Sequence, residues 1–348
     1  MFSAKKLKMK KPLIFFLIVF ILIFAGEWWI RKYKDPLLCY IPVRKFWDLE
    51  KITNLFGQYD GKDELILYHM SSCHYTEDIV RVRKLQDTRR IMVIGTSSAE
   101  GYALPKEYNF VSLLQNKLNE YDKDEKFEVI NAARGGHTSY QLLVYCEEVL
   151  LRLSPDIVVL YLGSNDCIYS GFITDKKYYE KVKKVAEDIK DDAVKIKRLF
   201  QYGPEGFNPI YRLLAESRLF GYVYFKFFDP TTGANRIRRY VQRVPPHDQE
   251  YVLRRLASLS KKQNFKLIFM PEIVNRNVFR DSPNQSLYYY NLMKKIAEKE
   301  NLIFVDLEPL FRRYADEKVL LDNVHPTPLG HSLIAEKLYE VFIDTKLN

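Results

Sequence analysis

The residues able to do chemistry fall in four short stretches. "IMVIGTSSAEGYALP" (91–105) runs from four apolar residues through Gly95 into two adjacent hydroxyls, Ser97 and Ser98. "NAARGGHTS" (131–139) holds a glycine pair, "GSNDC" (163–167) an amide beside a carboxylate, and "LDNVHPTPLG" (321–330) an Asp-x-x-His pair. Each stretch alone is ordinary turn composition. Together they hold the parts of an acyl-transfer centre. A serine hydroxyl is a poor nucleophile until an imidazole takes its proton, and the imidazole needs a carboxylate to fix its tautomer and stabilise its positive charge. Asp322 and His325 supply that pair from one loop. Attack on an ester carbonyl makes an oxyanion, for which placed donors are worth several kcal/mol. Gly136 and Asn165 are suitable donors.

These stretches need a scaffold that brings them to one place. From residue 91, short β-branched and aromatic runs (Ile91 to Ile94, Phe127 to Ile130, Asp156 to Leu162, Phe265 to Met270, Leu302 to Val305) alternate with helical patterns. That alternation predicts an α/β fold, a parallel sheet covered on both faces. Helices are expected after Asn109, after Thr138 or Ser139, and from Pro328 behind Thr327 as a cap. Ligands in open α/β sheets gather at the carboxyl ends of strands, and three of the four stretches follow a strand while the fourth precedes the last helix.

About a hundred residues separate the third and fourth of these strands, far beyond one crossover helix. "TDKKYYEKVKKVAEDIKDDAVKIKRLF" (174–200) aligns apolar residues on one stripe and predicts a long amphipathic helix. The aromatic-rich "PIYRLLAESRLFGYVYFKFF" that follows reads first as a buried hydrophobic helix, with a lid, an acyl-chain pocket or a membrane-touching patch as functional rivals. Only Tyr251 to Leu259 reads as the crossover helix.

The amino-terminal stretch is not globular. Five lysines precede an unbroken apolar run from Leu13 to Gly26, and Pro12 to Ile30 is the length of one membrane span, edged by Trp28 and Trp29. A cleaved signal peptide is the rival, but no small-x-small site follows, and Leu37 and Leu38 before Cys39 do not fit a lipoprotein site. Basic residues are about as numerous after the span as before it, so orientation rests on the usual preference of a short basic tail for the cytoplasm. The large domain is then expected to be extracytoplasmic, periplasmic or at the cell surface. The organisation reads as a basic tail and transmembrane anchor (1–34), a connecting region (35–90) without sustained periodicity, and a domain over 91–345 with an insertion at about 168–246.

With 47% hydrophobic and 28% charged residues the chain is globular rather than disordered. The net charge of +10 comes without an arginine-rich block or zinc-finger spacing, so nucleic acid is not an expected partner and weak attraction to anionic surfaces is. Four cysteines (Cys39, Cys73, Cys146, Cys167) form no CxxC pair. His69, Cys73 and His74 cluster, but read as loop residues; no metal or organic cofactor is expected. A disulfide such as Cys39 to Cys73 stays open.

The four blocks, in this order, resemble the SGNH hydrolase superfamily, or GDSL-type esterases. That family has a Gly-Asp-Ser block, a block-two glycine, a Gly-x-Asn-Asp block and an Asp-x-x-His block. The resemblance makes Ser97 the nucleophile and donor of one oxyanion N–H, Gly136 the oxyanion glycine, Asn165 the amide donor, and Asp322 and His325 the remaining catalytic pair. It implies a three-layer α/β/α fold with a flavodoxin-like sheet, and a serine esterase that removes an O-acyl group, acetyl first, from a cell-surface glycan or other small ester through an acyl-serine intermediate. One departure stands out: Thr96 replaces the aspartate before the nucleophile. Asp166 reads as structural support, and His137 and His331 receive no role.

Three other readings compete. An O-acetyltransferase or a lipid esterase would use the same centre. A non-catalytic membrane-tethered binding protein has only Thr96 in its favour. An α/β-hydrolase is disfavoured because Ala99 occupies the last position of its Gly-x-Ser-x-Gly turn and because the serine follows the first strand. Oligomeric state is not legible.

Overall fold

The computed structural model describes residues 19–26, 28, 64–71, 74–102, 104–121, 126–167, 169–170, 174–186, 241–274, 283–314 and 317–345. Residues 19–26 and 28 are helical, and Phe20, Ile21, Leu22, Ile23, Phe24 and Trp28 are exposed. Among the described residues no helix is long and apolar enough to cross a membrane. Most of the expected span over 12–30 lies outside them, as do Cys39, Cys73 and most of the aromatic insertion.

The sheet is built from β3 (Thr88–Gly95), β4 (Lys126–Asn131), β5 (Ile157–Leu162), β8 (Lys266–Pro271) and β9 (Ile303–Phe304), in the order β4-β3-β5-β8-β9 with every pairing parallel. Counting from β3 this is the flavodoxin-like order 2-1-3-4-5. It coincides with the five runs read from the sequence, because a strand covered on both faces must be apolar throughout. All six residues of β5 are buried.

Alternate residues divide between two helical layers. Ile91 and Val93 of β3, Ile157 and Val159 of β5, and Ile268 and Met270 of β8 share one core with α2 (Phe110–Tyr121), α7 (Glu308–Arg313) and α8 (Pro328–Asp344). The opposite face meets α3 (Ser139–Glu148), α5 (Pro246–Gln263) and α6 (Pro283–Glu300). Each fully buried Ile, Val or Leu contributes about 1.5–3 kcal/mol, so this double cover is the main source of stability.

The helix starts are set by local chemistry. Thr138 caps α3 in a reciprocal capping box with Gln141, and the Thr327 hydroxyl accepts the Gly330 N–H at the start of α8. At α2, Asn109 Oδ1 accepts the Val111 N–H at 2.8 Å and His331 Nδ1 accepts the Phe110 N–H at 3.2 Å.

Two features were not legible beforehand. Within 35–90 lies an antiparallel pair, β1 (Glu64–Ser71) and β2 (His74–Arg81). Its end is joined to the sheet by the buried Arg90, whose guanidinium donates to the Arg81 and Val82 carbonyls, to that of Leu153, and to Glu128 at 2.7 Å. The second is a short antiparallel pair, β6 (Tyr169–Ser170) with β7 (Val241–Gln242). It brings the two ends of the long insertion together. The amphipathic pattern is helical over α4 (Asp175–Ala186), and its remainder lies outside the described residues. The expected crossover helix is α5.

Candidate active site

The chain passes from β3 to β4 on one side and then to β5 on the other, so the strand order reverses at β3. Such a reversal opens a crevice at the carboxyl ends. Ser97 follows β3 and Asn165 follows β5, on either side of it. Gly95 permits the tight exit: a Cβ there would lie 2.5 Å from the Tyr161 carbonyl oxygen and 2.8 Å from Ala99 Cβ. The chain then enters α1, the single turn Ser97–Glu100, and leaves it through Gly101 at a φ of 92°.

Ser97 Oγ lies 2.8 Å from His325 Nε2, and His325 Nδ1 lies 2.6 Å from Asp322 Oδ2. With the Nδ1 hydrogen donated to the carboxylate, Nε2 presents its lone pair to the serine hydroxyl. The Asp322 carboxylate is fixed by its own loop, because Oδ1 accepts the Val324 and His325 N–H groups, both at 2.9 Å. Burial pushes its proton affinity up, but these N–H donors and the imidazole outweigh that and hold Asp322 below the usual carboxylate range. The loop is closed at its base by the Leu320–Pro326 bridge and by the Leu321 N–H, which donates to the His325 carbonyl at 2.7 Å. The Tyr102 ring lies against the imidazole, with centroids 4.4 Å apart.

The two serines do different things. Ser98 is fully buried and its hydroxyl donates to the Val324 carbonyl at 2.9 Å, tying the Ser97 turn to the histidine loop. Only Ser97, half-buried, faces the imidazole.

The 135–137 turn lies between Ser97 and Asn165. A Cβ at Gly135 would lie 3.6 Å from Ser97 Cβ, and the Gly135 N–H donates to Glu100 Oε2 at 2.9 Å. Gly136 has a φ of 75°, a left-handed conformation that favours glycine. The His137 carbonyl accepts one Asn165 Nδ2 hydrogen at 2.9 Å. An amide carries two such hydrogens, so one remains for a ligand oxygen. Asp166 holds the far side of this turn: Oδ1 accepts the Ser139 N–H at 2.7 Å and Oδ2 the Gln249 amide at 3.0 Å. Burial raises its proton affinity to about 6 despite those donors.

Sequence reasoning missed four residues here. Arg243, just after β7, donates to the Gly136 carbonyl at 2.9 Å and to Gln141 Oε1 at 2.7 Å, and lies 3.4 Å from Asp175. Asp175 in turn accepts the Thr138 hydroxyl at 2.6 Å. Both ends of the insertion therefore grip the Gly136 turn. Glu272, at the end of β8, accepts the Thr96 hydroxyl and the Ser164 N–H, both at 2.7 Å. Its signal was a carboxylate directly behind a buried strand. Tyr102 carried none beyond its place next to Gly101.

His137 and His331, given no role, are buried. Burial first, then Arg134 and Arg243, depress His137 to about 3; burial and then His325 depress His331 to about 4. Among the described residues no group of His, Cys, Asp and Glu could hold a metal, and Cys146 and Cys167 are free thiols, each pushed up to about 12 by burial.

The sequence profile of the GDSL-like Lipase/Acylhydrolase family matches residues 93–333, a stretch that takes in all four blocks. The chain belongs to this family. Among curated relatives it is similar to an arylesterase of Vibrio mimicus, 32% identical over 111 residues, which is 32% of this chain and 54% of the relative. It is also similar to the esterase TesA of Pseudomonas aeruginosa, 27% identical over 133 residues, 38% of this chain and 64% of the relative. Both alignments stop short of two thirds of the relative's length. Solved structures that resemble it include the acetyl xylan esterase AlAXEase, with a TM-score of 0.46 and 17% identity over 72% of this chain and 98% of that one. Another is the acetylxylan esterase Axe2 of Geobacillus stearothermophilus, with a TM-score of 0.47 and 18% identity over 72% of this chain and 93% of that one.

Proposed function

We propose that the protein is a serine ester hydrolase acting through an acyl-serine intermediate. The observation that carries this reading is the unbroken line from Ser97 Oγ to His325 Nε2 at 2.8 Å and from His325 Nδ1 to Asp322 Oδ2 at 2.6 Å. Both distances fit the hydrogen-bond reach that proton transfer needs. In this reading Ser97 Oγ bonds to the ester carbonyl carbon as its proton passes to His325 Nε2. Asp322 stabilises the imidazolium. The carbonyl oxygen becomes an oxyanion held by the Ser97 and Gly136 N–H groups and by the second Asn165 amide hydrogen. The Ser97 N–H suits this because the first N–H groups of a helical turn have no partner within it. Collapse breaks the bond to the leaving alkoxide, which takes the proton from His325. Water then attacks the acyl-serine, gives a proton to His325, and the carboxylic acid leaves as Ser97 recovers its hydrogen.

The substrate we propose is a short O-acyl ester, acetyl first, on a bulky carrier such as a cell-surface glycan. The Asp322 side chain is 48% exposed, and its neighbour Leu321 is exposed too. A triad that reaches the surface can meet an ester on a polymer. The arylesterase and esterase relatives support an ester as the bond broken. We also propose that residues 12–30 anchor the chain in a membrane with the hydrolase domain extracytoplasmic. The exposed Phe20 to Phe24 favour an apolar surrounding for that segment.

The test is intact mass spectrometry of the full chain after a fluorophosphonate, with the adduct mapped. A single adduct on Ser97, lost in His325→Ala, is the expected result. A folded protein that takes no adduct would overturn the enzymatic reading and favour a tethered binding protein.

A further inference from the structure

Thr96 departs from the family pattern immediately before the candidate nucleophile, and the structure shows what its side chain does instead. Thr96 stands at the N-cap of α1, yet its hydroxyl makes no cap hydrogen bond. It donates across the sheet end to Glu272 Oε1 at 2.7 Å. The other oxygen of the same carboxylate accepts the Ser164 N–H at 2.7 Å. Thr96 is 1% and Glu272 6% exposed, and among the described residues no cation pairs with this carboxylate. Its backbone is fixed as well: the Glu272 N–H donates to the Leu162 carbonyl at 2.9 Å, and a Cβ at Gly163 would lie 3.4 Å from Glu272 Cβ.

The two groups that Glu272 holds are each one residue before a group that must converge on substrate. Thr96 precedes Ser97, and Ser164 precedes Asn165. They lie on the ends of β3 and β5, while Glu272 reaches them from β8 on the far side of β5. Building on the esterase reading above, we propose that Glu272 is a positioning residue: its carboxylate ties the Ser97 turn to the Asn165 turn and sets the distance between nucleophile and oxyanion donor. Position 96 then requires a donor. An aspartate there would face a second buried carboxylate, and two carboxylates in one site cannot both ionise. The departure at Thr96 and the carboxylate at Glu272 are thus one arrangement.

The carboxylate touches neither Ser97 nor substrate, so its loss acts through geometry. A misplacement on the order of 1 Å costs about 100-fold in rate. Oxyanion donors act in the transition state more than on bound substrate, so the loss falls on kcat rather than KM. Glu272→Gln keeps the tie, since its amide oxygen accepts the Ser164 N–H and its amide hydrogen meets the Thr96 oxygen, whose hydroxyl can turn.

The experiment is a set of full-length variants: Glu272→Ala, Glu272→Gln, Thr96→Asp, and Thr96→Asp with Glu272→Gln. Each is read by kcat and KM on p-nitrophenyl acetate, by the rate of fluorophosphonate labelling at Ser97, and by melting temperature. The expected results are a kcat loss of about 30–100-fold in Glu272→Ala with little change in KM, a loss below about fivefold in Glu272→Gln, and a defect in Thr96→Asp that Glu272→Gln reverses. A folded Glu272→Ala within about threefold of the parent kcat, or a double variant no better than Thr96→Asp, would overturn the proposal while leaving the esterase reading intact. If the parent itself takes no label at Ser97, the esterase reading fails. The melting temperatures of the same cycle then decide the tie: rescue of Thr96→Asp by Glu272→Gln supports it, and additive losses refute it.

Discussion

His331 makes stability depend on pH in a way that one substitution can isolate. Its ring is fully buried, stacks on Phe110 with centroids 5.7 Å apart, and accepts the Phe110 N–H at Nδ1. Protonating Nδ1 would destroy that acceptor and place a charge in the core beside His325. Accordingly its folded value is depressed from 6.5 to about 4. Between those values the unfolded chain binds more protons than the folded one, so the stability that neutral His331 provides is complete above pH 6.5 and is lost as the pH falls toward 4. From pH 7.5 to 4.5 the loss is about 2–3 kcal/mol, at about 1.4 kcal/mol per unit. His331→Asn keeps an acceptor near Nδ1 and cannot titrate, at a cost of about 1–3 kcal/mol for lost packing at pH 7.5. His137, depressed to about 3, loses stability in the same direction, while Asp166, raised to about 6, gains it as the pH falls through that value. Both residues are present in parent and variant, so the difference between the two proteins isolates His331. Melting of the full chain in mild detergent, followed by circular dichroism from pH 7.5 to 4.5, should show the variant starting lower and the gap closing. At about 2–4 °C per kcal/mol the relative shift is roughly 5–10 °C. Curves that stay parallel within about 2 °C would refute the claim that a buried neutral imidazole is being titrated.

Ser97→Ala should lower ester turnover by about 10⁴-fold or more without changing the melting temperature. Ser98→Ala, which frees only the tie to Val324, should cost about tenfold or less, measured on the same ester; the reverse ranking would exchange the two roles. Asp322→Asn should lower kcat by about 10²–10⁴-fold, because an amide at that position no longer fixes the Nδ1–H tautomer. Arg243→Ala should lower kcat about tenfold and leave Ser97 in place, since it releases the Gly136 carbonyl but not the serine. Equal kcat in Arg243→Ala and the parent would show that the Gly136 turn holds itself.

What the sequence made legible depended on whether one local rule decided the matter. The five sheet strands and the helices α2, α3, α5 and α8 were readable because a doubly covered strand is apolar throughout and because Asn109, Thr138 and Thr327 announce the helix starts. The closeness of Ser97 to His325 was readable only through the order of four blocks, since 228 positions separate the two in the chain. The β1–β2 pair escaped because β1 runs apolar without a break from Leu65 to Tyr68 and Glu77 interrupts the apolar face of β2 between Tyr75 and Ile79, so neither strand alternates and backbone pairing is the main signal. The β6–β7 pair escaped because two residues a side are too few to show a period. Arg243 and Glu272 escaped for a different reason: a lone arginine after a two-residue strand and a lone glutamate after a buried one are common, and only the fold says what faces them.

Glu272 also bears on how the site tolerates its unusual sequence. The single helical turn that carries Ser97 cannot fix itself, because a segment of four residues makes too few hydrogen bonds to hold a geometry. Its position must be imposed by neighbours. Several are visible: Glu272 pulls on Thr96 from β8, Val324 holds Ser98 from the histidine loop, Asn109 Nδ2 at the start of α2 and Asn131 Nδ2 at the end of β4 donate to the Ala99 carbonyl at 2.9 and 3.2 Å, and the Gly135 N–H donates to Glu100 at 2.9 Å. These ties come from different elements and meet on both sides of Ser97, so the turn is held from several directions while Ser97 itself is left facing His325. A family residue at position 96 can therefore change its chemistry without loss of the site, provided that the tie it made is made by another group. Here that group is the carboxylate at 272.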